Sequence, residues 1–262
     1  MFKKKSDGTF EKVEVRKRPG TVGICAAIMN HYRVDAVPHL ICGGFGRRET
    51  EDALIDLNFL GIDNVLIIRG DAARNEASFE PEPHGHQYAI DLLKQVVSLN
   101  HGLYLEEDIK NGSKTNFCIG VAGYPEKHFE APNLETDLMF LKAKVEAGAE
   151  YVTTQMFFDN KKYFDFVKSC RDHGIHVPIV PGLKPITNKK QLSLLPKVFH
   201  VDLPNELSTE IMKCKSDEEV EKVGTEWLTQ QSKELKKAGV PVLHYYTLGK
   251  PRVIWNIVKE LL

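Results

Sequence analysis

The sequence predicts an α/β fold built on one parallel sheet, and three observations carry that expectation. Apolar runs of strand length alternate with segments of helical period along nearly the whole 262-residue chain, which is the pattern of successive βαβ crossovers. Residues 117–159 hold one complete unit of it: an apolar run closed by Gly123, a polar loop, an amphipathic segment and a second apolar run. No linker or low-complexity stretch interrupts the series, so a single domain over residues 1–262 is expected. The length is near that of one α/β barrel domain, and 42% hydrophobic content suffices for a sizeable core.

The elements follow in order. Residues 1–17 hold Asp7-Gly8 between two short runs, 2–5 and 10–15, and a surface hairpin is expected. Arg18-Pro19-Gly20-Thr21 opens a helix through about residue 32, with Val22, Ala26 and Met29 on its apolar face. A strand is expected over 36–42, a helix over 49–60 and a strand over 64–69. Residues 70–85, with two prolines and two glycines, read as irregular, before a helix over 86–99 and a polar insert over 100–114. In the central unit, 117–123 is a buried strand, Asn133 an N-cap, and Leu134, Leu138, Leu141 and Val145 the apolar stripe of a helix stopped by Gly148. Strand 151–156 is followed by a helix over 160–173, with Tyr163, Phe166, Val167 and Cys170 on one face, and by a strand over 177–180. Pro181-Gly182 and Pro185 are expected to form a rigid loop before a short helix near 189–195. Two helices within 204–237 break the alternation, the second carrying Val223, Trp227 and Leu228, and a strand over 241–248 and a helix over 253–262 close the chain.

Composition excludes several classes. Lys+Arg 35 against Asp+Glu 36 leaves a net charge of -1, so no overall field recruits nucleic acid or an acidic membrane, and Arg16-Lys17-Arg18 reads as solvated charge. The five cysteines, Cys25, Cys42, Cys118, Cys170 and Cys214, form no C-x-x-C pair and suit reduced thiols in a cytosol. The basic opening lacks a signal peptide's apolar core, and no run approaches the length of a membrane span. A cytoplasmic protein with neither nucleic-acid nor membrane partners is expected.

Six strand centres, near residues 40, 67, 120, 153, 179 and 244, fall short of the eight of a closed barrel. The alternative is an open, doubly wound sheet, supported by Gly43-Gly44-Phe45-Gly46, which is placed as a dinucleotide fingerprint would be. Glu49 stands where the third glycine belongs, and its carboxylate would compete with a pyrophosphate for the helix amides. Candidate site residues gather at strand ends, where α/β proteins place their chemistry: Arg69-Gly70-Asp71, Tyr124, His128, Gln155 and Lys250. Some have a plainer reading, Asp71 as a loop cap and Gln155 as a partner for buried backbone, and His39, inside a strand, reads as a hydrogen-bonded core histidine. His84-Gly85-His86 lacks a third metal ligand, and no P-loop, H-E-x-x-H or G-x-S-x-G occurs. The loop 124–133 is longer than a strand-to-helix turn requires. Spacing alone gives an α/β enzyme with a polar site.

At these residues the chain resembles a known family. Ala36-Val37-Pro38-His39-Leu40, Leu66-Ile67-Ile68-Arg69-Gly70-Asp71, Gly123-Tyr124-Pro125-Glu126-Lys127-His128, Ala147-Gly148-Ala149 with Thr154-Gln155-Met156-Phe157-Phe158-Asp159, and Pro181-Gly182-Leu183-Lys184-Pro185 together resemble methylenetetrahydrofolate reductase of bacterial type, N-terminally truncated. Order and spacing agree from about Thr21 to the C-terminus. The resemblance implies a flavoprotein of one-carbon metabolism and methionine biosynthesis. Its fold would be a (β/α)8 TIM barrel whose first two βα strands are missing here, with FAD at the C-terminal face. Its activity would be reduction of 5,10-methylenetetrahydrofolate to 5-methyltetrahydrofolate by NADH or NADPH, and a homo-oligomer is expected of the folded chain. His39, Arg69, Gly70, Asp71, Tyr88, Tyr124, His128, Ala131, Asp137 and Lys144 match FAD-binding positions, and Asp71, Gln155 and Lys250 match positions that hold the folate.

The implied chemistry accounts for these residue types. Hydride passes from nicotinamide to the flavin and then from the flavin to the folate methylene, so both substrates use one face in turn. Opening the folate's five-membered ring needs a proton donor and negative charge near the resulting cation, a task suited to Asp71. Gln155 can offer donor and acceptor to a pterin edge. The family carries its general-acid glutamate on a strand before the helix at Thr21, which this chain is expected to lack, so the alternative is a catalytically incompetent fragment. Phe140 and Ala143 replace polar FAD-contacting positions of some members, and Lys250 replaces a frequent arginine, keeping the charge without the bidentate fork.

Overall fold

A computed structural model describes residues 2–4, 10–12, 19–72, 78–109, 112–247 and 249–262. The expected hairpin is present as β1 (Phe2–Lys4) and β2 (Phe10–Lys12), antiparallel with Phe2 opposite Lys12; its Asp7-Gly8 turn lies outside the described residues. Helix α1 (Thr21–Tyr32) leads into β3 (His39–Ile41), α2 (Arg47–Phe59), β4 (Asn64–Ile68), α3 (Ala89–Asn100) and β5 (Cys118–Gly123). The chain continues through α4 (Leu134–Glu146), β6 (Tyr151–Met156), α5 (Asn160–Asp172) and β7 (Ile179–Leu183). Three consecutive helices, α6 (Gln191–Phe199), α7 (Asn205–Lys213) and α8 (Asp217–Lys237), precede β8 (His244–Tyr245) and α9 (Pro251–Lys259).

The main sheet has the order β3-β4-β5-β6-β7-β8, every neighbouring pair parallel. A doubly wound sheet reverses its order at a switch point. This sheet never does, so the open doubly wound alternative is overturned. The Gly43 loop confirms the local reason: the Glu49 carboxylate accepts the Gly46 N–H at 2.8 Å, occupying the amide a phosphate would need. The sheet also curls. His39 and His244 belong to its two edge strands, yet their rings come within 6.4 Å. The result is a singly wound half-barrel with helices on its convex side.

Several boundaries depart from the sequence expectation. The strand expected over 177–180 runs instead over Ile179–Leu183 and contains Pro181-Gly182. Pairing with β6 shifts register between Thr153 and Met156, and a proline without an N–H is tolerated at such an irregularity. Gly182 is required there, because a Cβ would lie 2.1 Å from Thr154 O. The last strand, expected over 241–248, is reduced to His244–Tyr245, extended by one bond from Tyr246 N–H to Leu183 O at 2.8 Å. Other ends move by up to four residues, the largest shift being that of α6, which ends at Phe199 and not near 195, while Asn133 caps α4 as expected, its side chain accepting Thr136 N–H at 2.8 Å.

Two apolar clusters hold the fold. The larger lies between sheet and helices, with Leu40, Val65, Ile67, Ile119, Val121 and Val152 as its strand contribution. The smaller joins Met156, Phe158 and Ile186, beyond the ends of β6 and β7, to Leu195, Leu207, Ile211 and Val220 of α6, α7 and α8. The three consecutive helices thus cap one side of the C-terminal end of the sheet.

Candidate functional site

Alternation along each strand sends one set of side chains to the helices and the other to the concave face. On β6 the second set is Tyr151, Thr153 and Gln155. Tyr151 lies across Gly120 of β5, where a Cβ would sit 2.1 Å from its ring, and donates to Val65 O of β4 at 3.0 Å. Tyr246 repeats the device across Gly182, donating to Thr154 O at 2.9 Å. Tyr151 thus fills the concave face over β5, and Tyr246 covers it over β7, at the C-terminal end of the sheet.

At the mouth, the expected residues around β4 and β5 converge. Arg69 forms a bidentate pair with Glu130, at 2.6 and 2.9 Å, and stacks over Phe79 at 5.4 Å. The guanidinium holds the Glu130 carboxyl below its usual range, and Glu130 raises Arg69 in return. Gly70 follows at φ 87, a left-handed turn that presents Asp71 without strain. Tyr124 meets the His128 ring edge-on at 4.6 Å, and burial pushes its phenol up. The backbone N–H of His128 donates to Asp137 of α4 at 2.9 Å, and its Nδ1 accepts from Glu130 N–H at 3.2 Å. In the neutral ring the proton therefore sits on Nε2. Ala131 is buried in the same loop. Lys144, two turns after Asp137 on α4, donates to Ala122 O at 3.3 Å, and burial lowers its pKa against the pull of Asp137.

The remaining expected residues stand apart from this cluster. Tyr88 is 55% exposed at the start of α3, its N–H bonded to Asp91. The Gln155 Oε1 accepts Met156 N–H at 2.9 Å, the backbone role its plainer reading gave it. Lys250 pairs with Glu221 of α8 at 3.4 Å. His39 faces His244 across the curl of the sheet, and His244 in turn meets Tyr246 edge-on at 4.7 Å.

Sequence reasoning missed what orders the loop. Lys127 adopts φ 76, and its Nζ bridges His128 O at 3.1 Å and Ala131 O at 2.6 Å. A left-handed lysine is sustained only where its surroundings over-determine it. Glu126 turns inward, accepting Asp202 N–H at 3.0 Å and Lys162 Nζ at 3.5 Å, and burial raises its pKa. Phe129 stacks between His128 and His200, 4.8 Å from each. Only Glu130, two residues after His128 in an overlong loop, carried a signal that spacing could have used.

The facing histidines give a testable pH dependence. Burial lowers both pKa values, and His39 lowers that of His244 further. The unfolded chain takes up protons near 6.5 while the folded chain resists, so stability present above pH 6.5 is lost as pH falls through the lowered values. Thermal melts between about pH 7 and 5 should show a smaller acid-side decline for the His39→Gln/His244→Gln protein than for wild type. Parallel declines would mean that the pair does not set it.

Residues 7–262 match the family model described as methylenetetrahydrofolate reductase. The chain belongs to the methylenetetrahydrofolate reductase family. It is 34% identical over 251 residues to methylenetetrahydrofolate reductase (NADH) 1 of Arabidopsis thaliana, covering 92% of this chain and 40% of that protein. It is 33% identical over 246 residues to the 5,10-methylenetetrahydrofolate reductase of Salmonella typhimurium, covering 94% and 76%. The chain thus spans about two-fifths of the length of the plant relative and about three-quarters of the bacterial one. Among solved structures, a Clostridium thermocellum protein described as binding two copies of 5-methyl-5,6,7,8-tetrahydrofolic acid aligns with TM-score 0.53 and 14% identity, over 90% of this chain and 78% of that one. This likeness supports an α/β fold. No helix among the described residues is long and apolar enough to cross a membrane.

Proposed function

We propose that this chain is a single, incomplete (β/α)8 reductase domain of the cytoplasm that binds FAD at the mouth of its half-barrel. Its reaction is reduction of 5,10-methylenetetrahydrofolate to 5-methyltetrahydrofolate with NADH or NADPH. The observation that carries the reading is the bonded cluster joining the Arg69-Gly70-Asp71 turn to the 124–131 loop and to Asp137 of α4, with Lys144 of the same helix bonded to Ala122 of β5 beside it. Its donor set, a guanidinium, a buried ammonium, a phenol and an imidazole Nε2–H, fits a dinucleotide carrying both phosphates and a hydrogen-bonding ring. His39, Tyr88, Tyr124, His128, Ala131, Asp137 and Lys144 would hold it together with the Arg69-Gly70-Asp71 turn. When bound, the flavin supplies hydride transfer between nicotinamide and folate.

The chain's own residues would do the rest. Asp71 places a carboxylate at the end of β4, where it stabilises a developing cation on the folate. Gln155 offers its amide at the end of β6, and Lys250 a cation beyond β8. The Tyr151 ring fills the concave face over β5 and the Tyr246 ring fills it over β7, excluding water from those positions.

Purified protein should show a flavin absorption band that bleaches on anaerobic addition of NADH or NADPH. A band that bleaches without subsequent folate reduction would favour the catalytically incompetent alternative. A colourless protein that takes up no added FAD would overturn the reading, and size-exclusion chromatography tests the expected homo-oligomer.

A further inference from the structure

Among the described residues, no acid lies beside the buried Lys184. The residue is 4% exposed, and among the described residues its Nζ has one acceptor, Pro185 O at 3.1 Å. Among the described residues, the charge that acts on it is that of Lys250, of the same sign, and burial and Lys250 together draw its pKa down. An ammonium taken from water without a carboxylate is destabilising, and a leucine or methionine would fill the position without that cost. Packing therefore does not explain a lysine here.

Its place suggests what does. Lys184 follows the last residue of β7 and lies two positions after Gly182, the glycine over which the Tyr246 ring lies. Alternation gives it the same concave face. Gln155 at the end of β6 is on one side, and Lys250 beyond β8 is on the other. Lys250 is about half exposed and spends its charge on Glu221 at 3.4 Å, a rim pair of small energy. The mouth thus has two chemically different sides: the β4–β5 side, where cations and carboxylates are matched, and the β7–β8 side, where one buried cation is left without a counterion.

We infer that Lys184, supported by Lys250, is an anchor for an oxyanion of a substrate entering beside β7 and β8, either a carboxylate of a folate's glutamyl tail or a phosphate of a nicotinamide nucleotide. The choice of these two anions rests on the proposed function; the anion site itself does not. Binding gives Lys184 the counterion that the fold withholds, and the ammonium–oxyanion bond forms where water is largely excluded.

Lys184→Met separates this from a structural role. In anion-free buffer the variant should melt about 2 °C higher than wild type, as removal of an uncompensated buried charge does. Inorganic phosphate should raise the melting temperature of wild type more than that of Lys184→Met, the common rise being general salt exclusion. Titration with 5-methyltetrahydrofolate, its counterpart lacking the glutamyl group, and NADH identifies the source. The ligand bearing the anchored anion should bind about tenfold more weakly to the variant, and the counterpart should lose nothing if the glutamyl carboxylate is the anion. A variant that melts below wild type and responds equally to phosphate would overturn the inference. If wild type binds neither folate nor nucleotide, the functional reading fails while the phosphate comparison still decides the anion site.

Discussion

Gly224→Ala is expected to destabilise the protein by about 3–5 kcal/mol, whereas Gly23→Ala should stabilise it by roughly 0.5–1 kcal/mol. Both glycines lie inside helices, α8 and α1. A Cβ at 224 would sit 1.9 Å from Ile186 O and 2.8 Å from Ile186 C, backbone atoms that cannot rotate aside. A Cβ at 23 would meet nothing within 4 Å. Helix propensity favours alanine at both positions, so any difference between the variants measures the close approach of α8 to the segment after β7. That approach brings Val220 onto Ile186, Leu195 and Ile211 in the smaller core, and forcing α8 away would open it. Urea denaturation followed by circular dichroism gives both values. Equal midpoints for Gly224→Ala and wild type would mean that α8 does not seat as described.

The sequence carried most of the elements and little of what joins them. The βαβ unit over 117–159 was legible because three local signals agreed: the apolar runs of its strands, the Asn133 cap and the stop near Gly148. The strand through Pro181-Gly182 was not, because proline and glycine ordinarily signal a turn, and only the register shift against β6 makes room for them. The capping role of α6 to α8 was hidden for a related reason. Their apolar residues read as ordinary amphipathic helices, and nothing local says that Met156, Phe158 and Ile186 wait for them at the ends of β6 and β7. At the site, strand ends located Arg69, Asp71, Tyr124 and His128, since chemistry at the carboxyl ends of parallel strands is a property of the architecture. Lys127, Glu126 and Lys184 escaped because their significance lies in a positive φ, an inward turn and a missing counterion, which have no residue pattern.

Breaking the Arg69–Glu130 pair should have the largest effect on cofactor binding. Arg69→Met is expected to weaken FAD binding by roughly 10- to 100-fold and to raise hydrogen exchange at residues 128–131. Among the described residues, Arg69 is the one tie from the end of β4 to a loop otherwise held by α4, α5 and the α6–α7 connection. Its side chain is 19% exposed against 42% for Glu130, so water screens the pair in part and the coupling should be about 1–2 kcal/mol rather than that of a buried pair. Arg69→Lys keeps the charge but cannot make both bonds, and should lie between wild type and Arg69→Met. A cycle with Glu130→Gln apportions the effect. If the pair acts by ordering the loop, Glu130→Gln alone should raise exchange as Arg69→Met does, and the double variant should be little worse than either. If Arg69 instead acts on the cofactor directly, Glu130→Gln should leave affinity near wild type and free the guanidinium. Exchange and affinity that respond independently in the cycle would separate the positioning role from the binding one, and an Arg69→Met protein with unchanged FAD affinity would remove the β4 turn from the proposed site.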